Sequence, residues 1–246
     1  IVMNLEPNLA WSTNNDLFIV PLDGARVHTG DLAFLTNNPA NDNHPVYSPN
    51  GRYLAYRAMS RPGFEADLYR LMLYDRKKKK FIDLSNELAD KLDRSVRSIA
   101  WYPDSKKIYV TCQDRGFISV YQVEVKNGKV KQLTNKNTIA SFQISGDKNR
   151  VVFLKQSATS PYEVFTANKS CNKMKMLSHI NDKKLSTLDM NSLEGFQFTG
   201  AAGTPVHGFL LKPPGFKRGT KYPMIFLVHG GPQGAWEDEF HWRWNY

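Results

Sequence analysis

A leucine followed by a hydroxyl residue closes four successive segments of this chain: Phe34-Leu35-Thr36, Asp83-Leu84-Ser85, Gln132-Leu133-Thr134 and Met176-Leu177-Ser178. The leucines stand at 35, 84, 133 and 177, so the steps are 49, 49 and 44 residues. A period in that range is the mark of a β-propeller blade. A second landmark keeps pace with the first. It is a tight turn followed by an alternating strand, in Tyr47-Ser48-Pro49-Asn50-Gly51-Arg52-Tyr53-Leu54 and Trp101-Tyr102-Pro103-Asp104-Ser105-Lys106-Lys107-Ile108, with a worn copy at Ser145-Gly146-Asp147-Lys148-Asn149-Arg150. Proline presets φ, Asn, Asp or Gly takes the tight position, and the alternation beyond supplies a half-buried strand. A third strand follows in Leu71–Asp75 and Ile118–Val123. The spacing predicts about four blades, an incomplete one over roughly 9 to 36 and fuller ones over 37 to 84, 85 to 134 and 135 to 178. A closed propeller has four to eight blades, so further N-terminal blades are expected outside this chain. An all-β sandwich is the alternative, but it does not require the same turn at the same point of each period.

Composition removes several classes. No run of about 18 apolar residues is present, so no membrane span is expected. Two cysteines, Cys112 and Cys171, are too few for a disulfide framework or a cysteine-rich zinc site, although one bridge between them stays open. The scattered histidines offer no metal set, and no cofactor is expected. The net charge of +10 is spread over turns. Its densest run, Lys77-Lys78-Lys79-Lys80, falls where a hairpin connection is expected and reads as a solvated turn, so no nucleic-acid partner is predicted.

After a polar stretch from about His179 to Asp189 the period disappears. Phe196–Thr199 and Val206–Leu211 flank a glycine-rich turn and predict a hairpin. Then Met224-Ile225-Phe226-Leu227-Val228 reads as a buried central strand, stopped by His229-Gly230-Gly231-Pro232. A glycine-rich turn exposes backbone N–H groups and lets a bound group come close. In α/β-hydrolases a His-Gly-Gly segment after a sheet strand supplies one donor of the oxyanion hole. The expected division is a partial propeller over 1–185 and the first strands of an α/β-hydrolase domain over 186–246.

One predicted blade carries a loop with chemistry of its own, Met59 to Arg70. Glu65 and Asp67 are two residues apart and could share one side of an extended segment, where they would hold a cation such as an α-ammonium group. The plainer alternative is a solvated loop in which Arg61 or Arg70 neutralises them.

A propeller followed by "LEGFQFTGAAGTPVHGFLLKPPGF" and "YPMIFLVHGGPQGAW" resembles the prolyl oligopeptidase family of serine peptidases, within it the dipeptidyl-peptidase 5 and acylaminoacyl-peptidase branch. The phrases "STNNDLFIVPLDG", "NHPVYSPNGRYLAYRAMSRPGFEADLYRLMLYD" and "HGGPQGAWEDEFHWRWNY" carry the narrower match. The resemblance implies a short peptide as substrate and access gated by the propeller. It assigns the oxyanion N–H to Gly231, with His229 and Gly230 shaping the turn. It also implies an acidic propeller anchor for a free amino terminus, for which Glu65 and Asp67, beside Arg61, are the candidates. It further implies a secreted or periplasmic setting, while a homodimer stays open. The first residues, Ile1 to Pro7, show no signal-peptide pattern, and the triplet Asn168-Lys169-Ser170 is compatible with secretion.

One departure matters. The family nucleophile sits in a Gly-x-Ser-x-Gly elbow, and no such segment occurs in these 246 residues. His207 and His229 do not replace the base, since one lies in a predicted hairpin strand and the other in the turn. The chain alone is therefore expected to be inactive, with the remainder of the hydrolase domain as its partner. The rival expectation is a non-catalytic propeller interaction module with a degenerate hydrolase remnant, whose interface would use Trp236, Phe240, Trp242, Trp244 and Tyr246.

Overall fold

A computed structural model describes the chain except residues 9–10, 21–31, 86–93, 148, 232–233 and 242–246. Lys148 of the worn turn, Pro232, and the aromatic residues Trp242, Trp244 and Tyr246 thus lie outside the described residues. The chain divides into two compact units, one of Ile1–Cys112 with Tyr121–Lys131 and one of Gln113–Val120 with Gln132–Tyr246.

The first unit opens with β1 (Val2–Met3), β2 (Asp16–Ile19) and β3 (Ala33–Phe34), a three-stranded sheet in that order. It continues with the antiparallel meander β4 (Asp42–Tyr47), β5 (Tyr53–Ala58), β6 (Arg70–Asp75) and β7 (Lys80–Asp83). A third meander, β8 (Val96–Trp101), β9 (Lys107–Asp114), β10 (Phe117–Glu124) and β11 (Val130–Gln132), is shared between the units. Alternation decides which faces are buried. Along β6, Leu71, Leu73 and Asp75 are buried while Arg70, Met72 and Tyr74 are only partly so. Leu71 and Leu73 join Ala55, Leu84, Ile99, Trp101, Ile108 and Val110 in one core. Burying each leucine contributes about 1.5–3 kcal/mol. Trp101 stacks on Tyr53 at 6.2 Å and its indole N–H donates to the Val46 carbonyl at 3.0 Å, which ties β8 to β4. The lysine run is the β6–β7 turn, where Asp75 accepts the N–H groups of Lys77 and Lys78.

The second unit holds the fourth meander, β12 (Thr138–Ile144), β13 (Arg150–Ser157), β14 (Ser160–Asn168) and β15 (Lys175–Met176). Instead of a plain linker, the polar stretch after it forms one helical turn, α1 (Asp182–Leu185). The predicted hairpin comes next as β16 (Glu194–Thr199) and β17 (Pro205–Leu210), in register from Glu194↔Leu210 to Thr199↔Pro205. Its turn needs Gly203 at φ 77° and forces Ala202 to φ 53°.

The closing phrases have one physical cause. In each blade a residue of the strand just before the closing segment donates its N–H to the closing hydroxyl, and its carbonyl accepts the N–H of the closing leucine. The pairs are Leu17 with Thr36 (2.9 Å) and Leu35 (2.8 Å), Leu71 with Ser85 (2.7 Å) and Leu84 (2.9 Å), Val120 with Thr134 (2.8 Å) and Leu133 (2.8 Å), and Val164 with Ser178 (2.8 Å) and Leu177 (2.7 Å). A buried backbone donor without a partner is costly, and the hydroxyl supplies one where the outer strand's own ladder stops. In two blades that hydroxyl also donates to a carboxylate, Thr36 to Asp16 and Ser178 to Glu163. The recurring turn is closed by the same backbone bond in all three copies, Ser48 N–H to the Tyr53 carbonyl at 2.8 Å, Tyr102 N–H to the Lys107 carbonyl at 2.9 Å and Ser145 N–H to the Arg150 carbonyl at 3.0 Å. Where a serine leads it, the hydroxyl adds a second bond, accepting the Tyr53 N–H at 2.9 Å and the Arg150 N–H at 3.2 Å.

One expectation fails. Met224–Val228 is neither a strand nor buried, with side chains 52–85% exposed. Apolar sequence makes a central strand only between partner strands, and no described strand pairs with this segment.

Candidate active site

The His229-Gly230-Gly231 turn belongs to the second unit. Gly231 adopts φ 135°, which residues with a side chain rarely reach, so the second glycine is demanded by the backbone. Gly234 is demanded by space, because a Cβ there would stand 2.8 Å from the Gly230 carbonyl oxygen. At Gly230 a Cβ would meet nothing within 4 Å. His229 Nδ1 lies 3.2 Å from the Gly230 carbonyl, so its ring rests on its own turn. His207 is exposed on β17 opposite Gln197.

The segment C-terminal to the turn is anchored. Asp238 donates its N–H to the Gly116 carbonyl at 2.8 Å and accepts the Ala158 N–H on its carboxylate at 2.8 Å. Gln113 donates to Glu237 at 2.7 Å. Gly116 and Ala158 sit in the β9–β10 and β13–β14 turns. Gly116 is at φ 81°, and a Cβ there would fall 2.3 Å from the Phe209 ring. Phe209 also meets Phe117 edge-on at 5.7 Å. Sequence reading missed these contacts; the signal available was Gly116 in a two-residue hairpin turn, and nothing marked its partners.

The loop between β5 and β6 belongs to the first unit, and the structure brings Arg61 and Asp67 together. Asp67 Oδ2 accepts the N–H groups of Ser60 (2.7 Å) and Arg61 (2.9 Å) and the Ser60 hydroxyl (3.0 Å), while Oδ1 takes Arg61 Nε at 3.2 Å. Burial disfavours the Asp67 charge, but these donors and the Leu68 N–H outweigh it and hold the carboxyl well below the usual range. Arg61 also covers the Phe64 ring at 3.9 Å. Arg70 is engaged elsewhere, with Asp83 at 2.8 Å. Asp67 is thus the internal brace of the loop, and Glu65 is the carboxylate exposed on its rim.

A second acidic cluster went unread. Asp42, 1% exposed at the start of β4, accepts from Asn38 Nδ2 at 2.8 Å and lies near Thr36 and Asp16. Burial pushes its carboxyl up to about 6 against the pull of Asn38 and Thr36, with Asp16 adding to the rise. Cys112 and Cys171 are buried free thiols, and burial pushes Cys171 up to about 12. Among the described residues no three His, Cys, Asp or Glu side chains converge as a metal site would need.

No family model matches the sequence. The chain is 31% identical over 244 residues to the probable dipeptidyl-peptidase 5 of Aspergillus clavatus, covering 93% of this chain and 32% of that protein. It is 29% identical over 245 residues to the dipeptidyl-peptidase 5 of Trichophyton schoenleinii, covering 95% and 33%. Among solved structures, Pyrococcus horikoshii acylaminoacyl peptidase superposes with a TM-score of 0.72 at 20% identity, over 95% of this chain and 33% of that one. Along nearly its whole length the chain is similar to peptidases of the prolyl oligopeptidase family. It spans about a third of the length of the curated relatives it matches. Its fold is a partial β-propeller followed by the opening strands of an α/β-hydrolase domain.

Proposed function

We propose that this chain is the propeller and oxyanion-turn portion of a serine peptidase that releases dipeptides from the free N-termini of short peptides. The observation that carries this reading is Gly231, held at a φ that favours glycine directly after His229 and Gly230 in a chain similar to peptidases of this family. Its N–H is suited to the oxyanion of a tetrahedral intermediate. A serine that is not among these residues would attack the scissile carbonyl, a histidine would take its proton and pass it to the leaving amine, and the Gly231 N–H would stabilise the charge formed on oxygen. The chain by itself would be inactive.

Glu65 is the proposed anchor for the substrate's α-ammonium group, with Arg61 and Asp67 holding the loop that presents it. Topology supports this choice. The loop joins the second and third strands of its blade, the same connection that in the next two blades receives Glu237 and Asp238. Gating by the propeller, a secreted or periplasmic setting and a homodimer belong to the same proposal.

The test is the full-length enzyme assayed on Ala-Ala-p-nitroanilide and its N-acetylated form, with fluorophosphonate labelling in parallel. Labelling of one serine and release from the free-amine substrate are expected. No labelling and no turnover would leave the non-catalytic interaction module in its place, and preference for the acetylated substrate would make it an acylaminoacyl peptidase.

A further inference from the structure

We propose that the propeller sets the oxyanion turn through a latch, with Asp238 as the positioning residue. This rests on the peptidase reading above. Among the described residues the turn has little of its own to hold it. His229 to Gly231 are exposed, the ring of His229 lies against the carbonyl of the next residue, and Met224–Val228 before it pairs with no described strand.

The chain is fixed on both sides of that turn at one place. Upstream, Phe209 of β17 lies on Gly116 and Phe117. Downstream, the Trp236 carbonyl comes within 3.4 Å of where a Gly116 Cβ would be, and the Asp238 N–H donates to the Gly116 carbonyl at 2.8 Å. Asp238 then reaches a second propeller turn with its carboxylate, on the Ala158 N–H at 2.8 Å, and Glu237 adds the Gln113 amide at 2.7 Å. One residue commits its backbone donor to the β9–β10 turn and its side chain to the β13–β14 turn. Gly116 at φ 81° lets both the hairpin and the downstream segment seat against it.

A latch of this kind acts on the transition state. An N–H aimed at the developing oxyanion accelerates the chemical step, whereas ground-state binding is carried elsewhere on the substrate. Loosening it should lower kcat and leave KM almost alone.

The experiment is steady-state kinetics of the full-length enzyme carrying Asp238→Ala, Asp238→Asn or Gly116→Ala on Ala-Ala-p-nitroanilide. Asp238→Asn keeps an acceptor for the Ala158 N–H and should stay within about threefold of wild type, while Asp238→Ala should lose about 10- to 100-fold in kcat, less than deletion of an oxyanion donor, with KM within about twofold. If Asp238→Ala does not fold, Gly116→Ala, which changes no hydrolase residue but whose Cβ pushes on the Phe209 ring, must show the same fall in kcat. Wild-type kcat in the folded variants, or a change confined to KM, overturns the latch. Wild-type enzyme that neither turns over nor labels overturns the peptidase reading, and the latch with it.

Discussion

Ser85 Oγ accepts the backbone N–H of Leu71 at 2.7 Å, and the residue beside it, Leu84, donates its own N–H to the Leu71 carbonyl at 2.9 Å. Both polar groups of a fully buried residue are thus satisfied by two consecutive residues, and the same device recurs in all four blades. Ser85→Ala should leave the Leu71 N–H buried without a partner and cost about 1–3 kcal/mol. Ser85→Thr should cost much less, since Thr36 and Thr134 fill the same role. Urea unfolding of the two variants checks this, and equal midpoints would refute it.

The loop after β5 should separate structure from binding. Asp67→Ala removes the acceptor of Ser60, Arg61 and their side chains, so the loop should loosen, with faster proteolysis at 60–66 and reduced turnover. Glu65→Gln should raise KM for the free-amine substrate about tenfold or more, as loss of a charged partner does. Glu65→Gln with unchanged KM removes the amine anchor.

The propeller was legible because its repeat is local. Leucine plus hydroxyl and the Ser48-Pro49-Asn50-Gly51 turn are short-range patterns whose hydrogen bonds close within one blade. The hairpin of β16 and β17 was legible for the same reason. Met224–Val228 misled, because burial is a property of partners and five apolar residues cannot say whether any are present. Within the loop the sequence offered Glu65 and Asp67 as equals; only the bonds to Ser60 and Arg61 assign one to the fold. Asp238 was invisible, since its partners Gly116 and Ala158 are far away in sequence and contribute backbone groups alone.

Asp42 gives a pH signature. Its folded-state value is raised to about 6, so the native state binds the proton more tightly than the unfolded chain does. The stabilisation from that proton is fully present below about 4, is lost as pH rises through 6, and leaves a cost of up to about 3 kcal/mol at neutral pH. Asp42→Asn keeps an acceptor for Asn38 and removes the charge. Its stability should exceed wild type at pH 7, and its unfolding midpoint should vary less between pH 4 and 6. A wild-type midpoint that does not fall between pH 4 and 6 refutes the assignment.

Gly230 and Gly231 are neighbours with different needs, and alanine should tell them apart. Gly230 has no positive φ and a Cβ there meets nothing within 4 Å, so Gly230→Ala should be tolerated by the backbone. Gly231 stands at φ 135°, and alanine there must either carry about 1–3 kcal/mol of strain or rotate the peptide that bears the proposed oxyanion donor. Because the turn is exposed, rotation is the cheaper response, and the donor would then leave its line. In the full-length enzyme Gly231→Ala should therefore lose about 10²–10³ in kcat with KM and global unfolding little changed, the size expected for loss of one oxyanion donor. Kinetics of the two variants side by side decide it; equal kcat would show that the Gly231 conformation has no part in catalysis.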